Sequence, residues 1–174
     1  MNSDCRELFP SLEYLGSATR YRDEIFEIVD RTPLFENLES PEIESLCGFM
    51  KCFGAPRNQV LLSEDDEGDF LLIILTGQVL VNKKVGEGAQ TMATVSPGAT
   101  LGEMSMVDGA PRFATCITTE PTDFAVLTRD ALNEVLLNTP RLGNKLLLVV
   151  LQLMTRRLRE TCINLLPNYS GTSI

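Results

Sequence analysis

The feature that most constrains this fold is a series of short β-rich segments between residues 53 and 127. The segments cover residues 60–62, 70–75, 79–85, 91–95 and 114–127. Between them lie clusters of glycine, proline, asparagine and aspartate, which are the residue types that tight turns require. Short, evenly spaced strands with such turns are typical of an antiparallel sandwich, roll or barrel. We therefore predict a mainly β domain.

Helical patterns precede the β-rich region. Residues 4–15 and 21–29 have helical character, and we interpret residues 1–31 as a helical extension. Ser40 and Pro41 then begin a further helix, with Ser40 as the N-cap, because serine caps helices and proline fits their first turn. The predicted apolar face of this helix comprises Ile43, Leu46, Cys47 and Met50.

Two further helices are predicted after the β-rich region, a short one at residues 131–137 and a long one at residues 141–166. The long helix has a heptad seam formed by Leu147, Leu151, Met154, Leu158 and Leu165. Its first half is apolar on the other faces as well, so it requires cover on more than one side. We expect a homodimer through this helix. The alternative is a helix that is fully internal to a single chain.

The predicted organisation has four parts. Residues 1–31 form the helical extension, and residues 32–137 form the β domain with its associated helices. Residues 138–166 contain the long helix, which serves dimerisation or covers the domain as a lid. Residues 167–174 are expected to be a flexible tail.

Composition excludes several classes of function. The formal net charge of -9 argues against a nucleic-acid surface, because phosphate backbones require clustered lysine and arginine. No apolar run approaches the ~18 residues of a membrane span, and no signal-peptide pattern begins the chain, so we expect no membrane contact and a cytoplasmic location. The five cysteines lack metal-ligand spacing, which favours reduced thiols. Histidine is absent, which argues against an enzyme and against a metal site.

Residues 101–115 combine the groups that bind a small phosphate ester of a sugar. Gly102 permits a close approach of backbone to ligand, and the helical turn after it has free N–H groups for an anion. Arg112 offers a planar fork of donors for phosphate oxygens, whereas Glu103 accepts from hydroxyl groups. The alternative is an ordinary pair of charges, which is the more common arrangement for an isolated glutamate and arginine.

The order of elements and three motifs resemble the cyclic nucleotide-binding domain family. Thr-Gly-Gln-Val at 76–79 resembles the family's Ser-Gly-Glu-Val turn, and Ser-Pro-Gly at 96–98 its Gly-Pro-Gly motif. The most specific match is Gly-Glu-Met-Ser at 102–105 followed by Gly-Ala-Pro-Arg at 109–112. The resemblance implies an α+β, mainly β fold. It is an antiparallel β-roll (a double-stranded β-helix, jelly-roll-like) flanked by an N-terminal helix and a long C-terminal helix.

The resemblance also implies roles for individual residues. Arg112 is expected to hold the cyclic phosphate, and Glu103 to accept from the ribose 2′-hydroxyl. Thr161 matches the position of a threonine that reaches the adenine amino group in catabolite activator proteins. Four residues are expected to contribute backbone groups: Gly102 to the sugar, and Met104, Ser105 and Phe113 to the phosphate.

Three positions depart from the family pattern. Phe113 replaces the usual alanine, serine or threonine, and the lack of a hydroxyl favours cAMP over cGMP. Its ring is expected either to narrow the base pocket or to stack on the purine. Asn58 and Asp65 stand where the family often has glycine, but both residue types tolerate a left-handed backbone.

Three functions are compatible with these expectations. The first is a non-enzymatic cyclic nucleotide sensor that needs no cofactor and regulates an unknown protein partner. The second is a dimeric interaction scaffold that keeps the fold but binds no ligand. The third is a cupin-like enzyme, which the lack of histidine disfavours. No helix-turn-helix is expected in this sequence, so the resemblance does not imply DNA binding.

Overall fold

The computed structural model of the chain describes residues 8–165. The α-helices of this range are α1 Arg22–Ile28, α2 Ser40–Cys47, α3 Glu103–Asp108, α4 Arg129–Asn138 and α5 Pro140–Leu165. Its strands are β1 Glu13–Ser17, β2 Lys51–Ala55, β3 Val60–Leu62, β4 Phe70–Ile74, β5 Val79–Val85, β6 Gly88–Val95, β7 Thr100–Leu101, β8 Thr115–Thr118 and β9 Thr122–Thr128. Short 3₁₀ helices occur at Ala18–Tyr21, Val29–Arg31 and Pro33–Phe35.

The strands form two antiparallel sheets. One sheet has the order β1-β2-β9-β4-β7, and the other has the order β3-β8-β5-β6. From β2 onward the chain passes repeatedly from one sheet to the other, so apart from the β5–β6 hairpin the neighbouring strands in a sheet are distant in sequence. This arrangement, with helices before and after it, confirms the predicted α+β, mainly β roll.

The central strands of the larger sheet are buried on both faces. In β4, Leu72 and Ile74 belong to the core between the two sheets. The alternate residues Leu71 and Ile73 belong to a second core, which the sheet forms with the helices. A strand with two buried faces reads as a continuous apolar run rather than as an alternating pattern. The second core is where α5 packs on the domain.

Most of the predicted β segments are confirmed. Residues 60–62 and 79–85 match β3 and β5, whereas β4 ends one residue early and β6 begins three residues early. The single segment predicted at residues 114–127 is two strands, β8 and β9, because residues 119–121 turn the chain between the sheets. The prediction missed β7, which is a very short strand. It also did not delimit β2, which begins at Lys51, before the start of the predicted β-rich region.

The predicted helix at residues 4–15 is wrong over its described part, since residues 8–12 form turns and Glu13–Ser17 is a strand. This strand pairs with β2, and Tyr14 lies opposite Phe53. The rings of Phe9 and Tyr14 lie 5.3 and 5.5 Å from that of Phe53. Strand pairing and aromatic packing therefore override the local helical pattern. The predicted helix at residues 21–29 is confirmed as α1 with its 3₁₀ continuation.

Helix α2 begins at Ser40, one residue before the start that the predicted Ser40 cap implied. The N-cap is Glu39 rather than Ser40, because the Glu42 carboxylate accepts from the Glu39 N–H at 2.8 Å and fixes the chain one residue earlier. The predicted apolar face is buried, as expected for a helix that packs on the domain: Ile43, Leu46, Cys47 and Met50.

Helix α5 packs on its own chain with one face and exposes another. Gly143 lies so close to α4 that a Cβ there would be 2.8 Å from the Leu136 Cα. The buried face comprises Leu142, Leu146, Val149, Val150 and Leu153. The exposed large apolar residues of α5 are Leu147, Leu148, Leu151, Leu158 and Ile163. The alternative of a fully internal helix is therefore wrong.

Two expectations concern residues outside the described range. Both the predicted tail at residues 167–174 and the first seven residues of the extension lie there. Across residues 8–165, none of the helices combines the length and the apolar character that crossing a bilayer requires.

Candidate functional site

The predicted site surrounds helix α3, whose two ends both carry a glycine with a left-handed backbone. Gly102 precedes the helix with φ of 81°, and Gly109 follows it with φ of 72°. A Cβ on Gly102 would lie 2.6 Å from the Arg112 Nη1. Glycine is therefore required at position 102 both for the backbone conformation and for the approach of the arginine.

Arg112 is only 3% exposed, and its guanidinium contacts Phe70 and Gly102. Its Nη1 donates to the carbonyl oxygens of Phe70 and Gly102 at 2.8 and 2.9 Å. The guanidinium carbon lies 4.3 Å from the centroid of the Phe70 ring. Gly68 adds to this fit, because a Cβ there would lie 2.3 Å from the guanidinium. The arginine is thus positioned by backbone and an aromatic ring rather than by a carboxylate.

The charge of Arg112 has no close counter-ion in the described chain. No carboxylate of residues 8–165 lies within ion-pairing distance of it, and its buried Nη2 has no hydrogen-bond partner there. Burial lowers the pKa of the Arg112 guanidinium, and the charge of Asp69 offsets part of this shift, but arginine remains charged in proteins. A buried cation without a direct ion pair is costly, so the site favours an anion.

Glu103 is the second buried charge, with 1% exposure. Its Oε1 forms an ion pair with the Arg157 guanidinium, whose Nη2 also donates to the Thr100 carbonyl oxygen at 2.9 Å. Its Oε2 is buried and has no partner among the described groups. Glu103 and Arg112 therefore do not pair with each other. The alternative of an ordinary charge pair is wrong for Arg112, which forms no ion pair with Glu103 or with an aspartate of the described residues, whereas Glu103 does form such a pair, with Arg157.

These groups line one small cleft that is open to solvent and has a cavity volume of about 90 Å³. The predicted residues that the structure brings together here are Gly102, Glu103, Met104, Ser105, Arg112 and Phe113. The other lining residues are Leu62, Val81, Leu101, Ala114, Cys116 and Arg157. The cleft therefore has one charged side and one apolar side.

Thr161 is not among the residues that line the cleft. It is exposed on α5, and its hydroxyl donates to the Arg157 carbonyl oxygen at 2.9 Å. Sequence reasoning missed Arg157, although Arg157 precedes Thr161 by one helical turn and therefore shares its face. The spacing of these two residues was the signal that could have identified Arg157.

Phe113 does not fill the cleft, because its side chain is half exposed at the rim. The two replaced glycines behave as expected, since Asn58 and Asp65 have φ of 64° and 70°. Cys116 lies in the apolar wall, and burial raises the pKa of its thiol to about 11. It is therefore a neutral, weakly reactive group. Within residues 8–165, no cluster of three or more acidic or cysteine side chains is arranged to hold a metal ion.

Comparison with known proteins identifies the family. The cyclic nucleotide-binding domain family matches residues 54–139. The crystal structure of a cyclic nucleotide-binding domain from Methylobacillus flagellatus is 50% identical, with a TM-score of 0.83, over 96% of this chain and 94% of that chain. The chain therefore belongs to the cyclic nucleotide-binding domain family, as the resemblance of residues 102–112 implied.

Two regulators are also similar. The CRP-like cAMP-activated global transcriptional regulator of Mycobacterium tuberculosis is 30% identical over 140 residues, or 80% of this chain. The catabolite activator protein of Thermus thermophilus is 26% identical over 77% of this chain, with a TM-score of 0.71. The matches span 61% and 62% of the lengths of these two relatives.

Proposed function

We propose that the chain is a non-enzymatic sensor domain that binds a cyclic nucleotide in the cleft and regulates a protein partner. One observation carries the proposal: two buried atoms without a described partner, Nη2 of Arg112 and Oε2 of Glu103, belong to residues that line the same cleft. The first is a charged donor and the second a charged acceptor. A phosphate and a sugar hydroxyl on one ligand supply the complement of both.

The phosphate is assigned to Arg112. A guanidinium can bind two phosphate oxygens, and Nη2 is available for this contact. The first turn of α3 adds the N–H groups of Met104 and Ser105, which have no intrahelical partner. The N–H of Phe113 adds a further donor beside Arg112. Together these donors surround one anion rather than a polyanion, which fits a cyclic monophosphate.

The ribose is assigned to Glu103, and this contact connects the ligand with α5. A 2′-hydroxyl that donates to Oε2 lies beside the Glu103–Arg157 ion pair, and Arg157 belongs to α5. Ligand binding thus changes the environment of a charge on the long helix. Such coupling requires that the ligand binds one position of the helix more tightly than another. Thr161, one turn further along, is the proposed contact for the base, with Gly102 beside the sugar.

Two observations favour cAMP over cGMP. Phe113 has no hydroxyl for the guanine amino group, and the Mycobacterium tuberculosis relative is a cAMP-activated regulator.

The cleft favours a binding role over catalysis. It offers a neutral Cys116 thiol and no histidine, so it lacks an activated nucleophile with its base. No cofactor is required for binding.

We also infer that the domain is a homodimer through α5 and is cytoplasmic. Three exposed leucines of α5, Leu147, Leu151 and Leu158, lie on the heptad seam that predicted a dimer, and a second copy would remove them from water. The free thiols of Cys47, Cys52 and Cys116 fit a reducing compartment.

Isothermal titration tests the proposal. The wild-type protein is expected to give saturable binding of cAMP, with weaker binding of cGMP. Arg112→Ala is expected to lose at least about tenfold in affinity, because a charged hydrogen bond is worth about 1.5–3 kcal/mol. Arg156→Ala is the matched control, because Arg156 pairs with Glu36 at 3.1 Å and does not line the cleft.

The alternative of a ligand-free scaffold has its own signature. In that case cAMP would give neither heat nor an increase in the thermal midpoint at millimolar concentration, whereas a ligand that binds the native state must raise the midpoint.

A further inference from the structure

The aromatic ring of Phe113 lies half exposed at the rim of the cleft. It is 50% exposed, although the adjacent Arg112 is buried. The ring is among the residues that line the cleft, together with the apolar side chains of Leu62 and Val81. A large aromatic surface beside a binding site is well suited to contact a ligand, because most such rings are otherwise buried.

The ring is held in place by Lys83 of β5. The Lys83 Nζ donates to the Phe113 carbonyl oxygen at 2.7 Å, and it lies 4.4 Å from the centroid of the Phe113 ring. This one ammonium group therefore contacts both the backbone and the side chain of Phe113. A cation over an aromatic face stabilises that geometry, and the half-exposed ring keeps surface for a ligand.

Lys83 is itself fixed by a buried carboxylate. Its Nζ lies 2.7 Å from Oε1 of Glu64, whose side chain is only 5% exposed. The second oxygen of Glu64 accepts from the Lys84 N–H at 2.8 Å, and the Glu64 N–H donates to the Thr115 hydroxyl at 3.0 Å. Lysine side chains at a surface are usually mobile and solvated. This one instead links a buried anchor to the rim of the cleft.

We propose that Phe113 is the platform on which the base of the bound cyclic nucleotide stacks, and that Lys83, anchored by Glu64, is the positioning residue that fixes this platform. The inference rests on the proposed function, since it names the part of the cleft that selects the base. Stacking strengthens with the size of the aromatic surface, so the platform selects cyclic purine nucleotides over cyclic pyrimidine nucleotides.

The experiment measures dissociation constants of cAMP and cUMP by isothermal titration. Both ligands carry the same cyclic phosphate and ribose, so their ratio isolates the base. Phe113→Leu is expected to weaken cAMP binding about tenfold and cUMP binding less than about threefold. Phe113→Trp is expected to keep the preference for cAMP. Circular dichroism checks that each variant is folded, which is expected because the ring is half exposed.

The lysine is tested by the same ratio. Lys83→Gln is expected to lower the cAMP preference about threefold, because the ring loses its cation and its orientation. Lys84→Gln is the matched control, because Lys84 pairs with exposed Asp65 at 3.2 Å and its backbone contact with Glu64 is retained. If Lys83 only attracted the phosphate, Lys83→Gln would weaken the binding of cAMP and cUMP equally and leave the ratio of their dissociation constants unchanged.

The possible outcomes distinguish the Phe113 platform from the proposed binding of a cyclic nucleotide. Suppose that the wild-type protein binds cAMP, but that neither Phe113→Leu nor Lys83→Gln changes the ratio of the cAMP and cUMP dissociation constants. That result would overturn the platform and leave the proposed function in place. Failure of the wild-type protein to bind either ligand would overturn the proposed function and the platform together.

Discussion

Arg112 and Glu103 are the residues whose energetics are hardest to explain without a ligand. Both are almost completely buried, and each keeps one polar atom that no described group satisfies. Leaving such an atom unpaired costs about 1–3 kcal/mol, more for a charged group. Apolar side chains of similar size would avoid this cost. At the scale of single residues, the pair is best explained by a ligand that carries an anion and a hydroxyl.

The role of Glu103 gives the first prediction. Glu103→Gln removes the charge but keeps an oxygen acceptor, so we expect an affinity for cAMP about tenfold lower. The loss is expected to be small for 2′-deoxy-cAMP, which lacks the hydroxyl that Glu103 accepts from. Isothermal titration of both ligands measures the difference. Equal losses for the two ligands would show that Glu103 acts through the fold and not through the 2′-hydroxyl.

Glu64 gives a prediction about pH. Its hydrogen bonds from Lys83 and the Lys84 N–H hold the pKa of the Glu64 carboxyl below its ordinary value of 4.5. A depressed native pKa stabilises the fold above the unfolded-state pKa, and this contribution is lost as the pH falls through the native value. The difference in unfolding free energy between wild type and Glu64→Gln should therefore shrink from about pH 7 to about pH 3.5.

Urea denaturation at both pH values measures this difference. Glu67→Gln, which changes an exposed glutamate of the same loop, serves as the control. A gap between wild type and Glu64→Gln that stays constant with pH would contradict the assigned ion pair.

The sequence identified two of the three charged residues that line the cleft. Arg112 and Glu103 were predictable because they lie in one short motif with a specific spacing. Arg157 was not, because it is 54 residues from Glu103 and meets it only through the packing of α5. Lys83 was missed for the same reason, since 30 residues separate it from Phe113. Contacts between distant elements depend on tertiary packing; the one-turn spacing of Arg157 and Thr161 indicates a shared helix face, but it does not indicate that Arg157 meets Glu103.

At the scale of elements, the position of α5 decides whether Arg157 reaches the cleft. The helix is brought against α4 at Gly143, where no space remains for a side chain. Its buried face then packs on the sheet, and its polar end extends beside α3. The close contact between α4 and α5 is therefore part of the site, although it lies outside the cleft.

Gly143→Ala tests this contact. Alanine favours a helix over glycine by about 1 kcal/mol, but its Cβ would lie 2.8 Å from the Leu136 Cα and 2.7 Å from the Leu136 Cδ2. We expect a net loss of about 1–3 kcal/mol in unfolding free energy, because overpacking forces the helices apart. Urea denaturation gives the value. Asn144→Ala is the control, since Asn144 is exposed and gains helix propensity without a clash; stabilisation by both variants would contradict the close contact.

The prediction of elements succeeded where the pattern was local. Strands such as β5, bounded by glycine turns, and helices such as α2, with proline in the first turn, were identified from sequence. The segment 8–17 was assigned wrongly because its structure depends on β2 and Phe53. An edge strand that completes a sheet has no alternation of its own to reveal it.

At the scale of the whole molecule, α5 connects the cleft with an exposed apolar surface. Arg157 contacts Glu103, and the next residue, Leu158, is among the exposed leucines of the helix. A change at the ion pair is therefore adjacent to the proposed dimer contact. This neighbourhood supports the proposed sensor, in which ligand binding would alter how two copies are arranged.

The dimer prediction uses Leu151, which is 62% exposed in the described chain. Leu151→Glu is expected to shift the protein from dimer to monomer, because it places two like charges in an apolar seam. Light scattering after size-exclusion chromatography measures the molar mass. The control is Leu137→Glu on α4, where the native leucine is 82% exposed but lies off the seam. A wild-type protein that is monomeric at high concentration would contradict the dimer.

A crystal structure of the protein with cAMP tests the central claim most directly. The account predicts a cyclic phosphate oxygen within hydrogen-bond distance of the Arg112 Nη2, and the ribose 2′-hydroxyl on the Glu103 Oε2. It also predicts that both atoms, which lack a described partner now, gain one. A cleft that stays empty at millimolar cAMP, or a nucleotide bound elsewhere while these two atoms remain unpaired, would contradict the account.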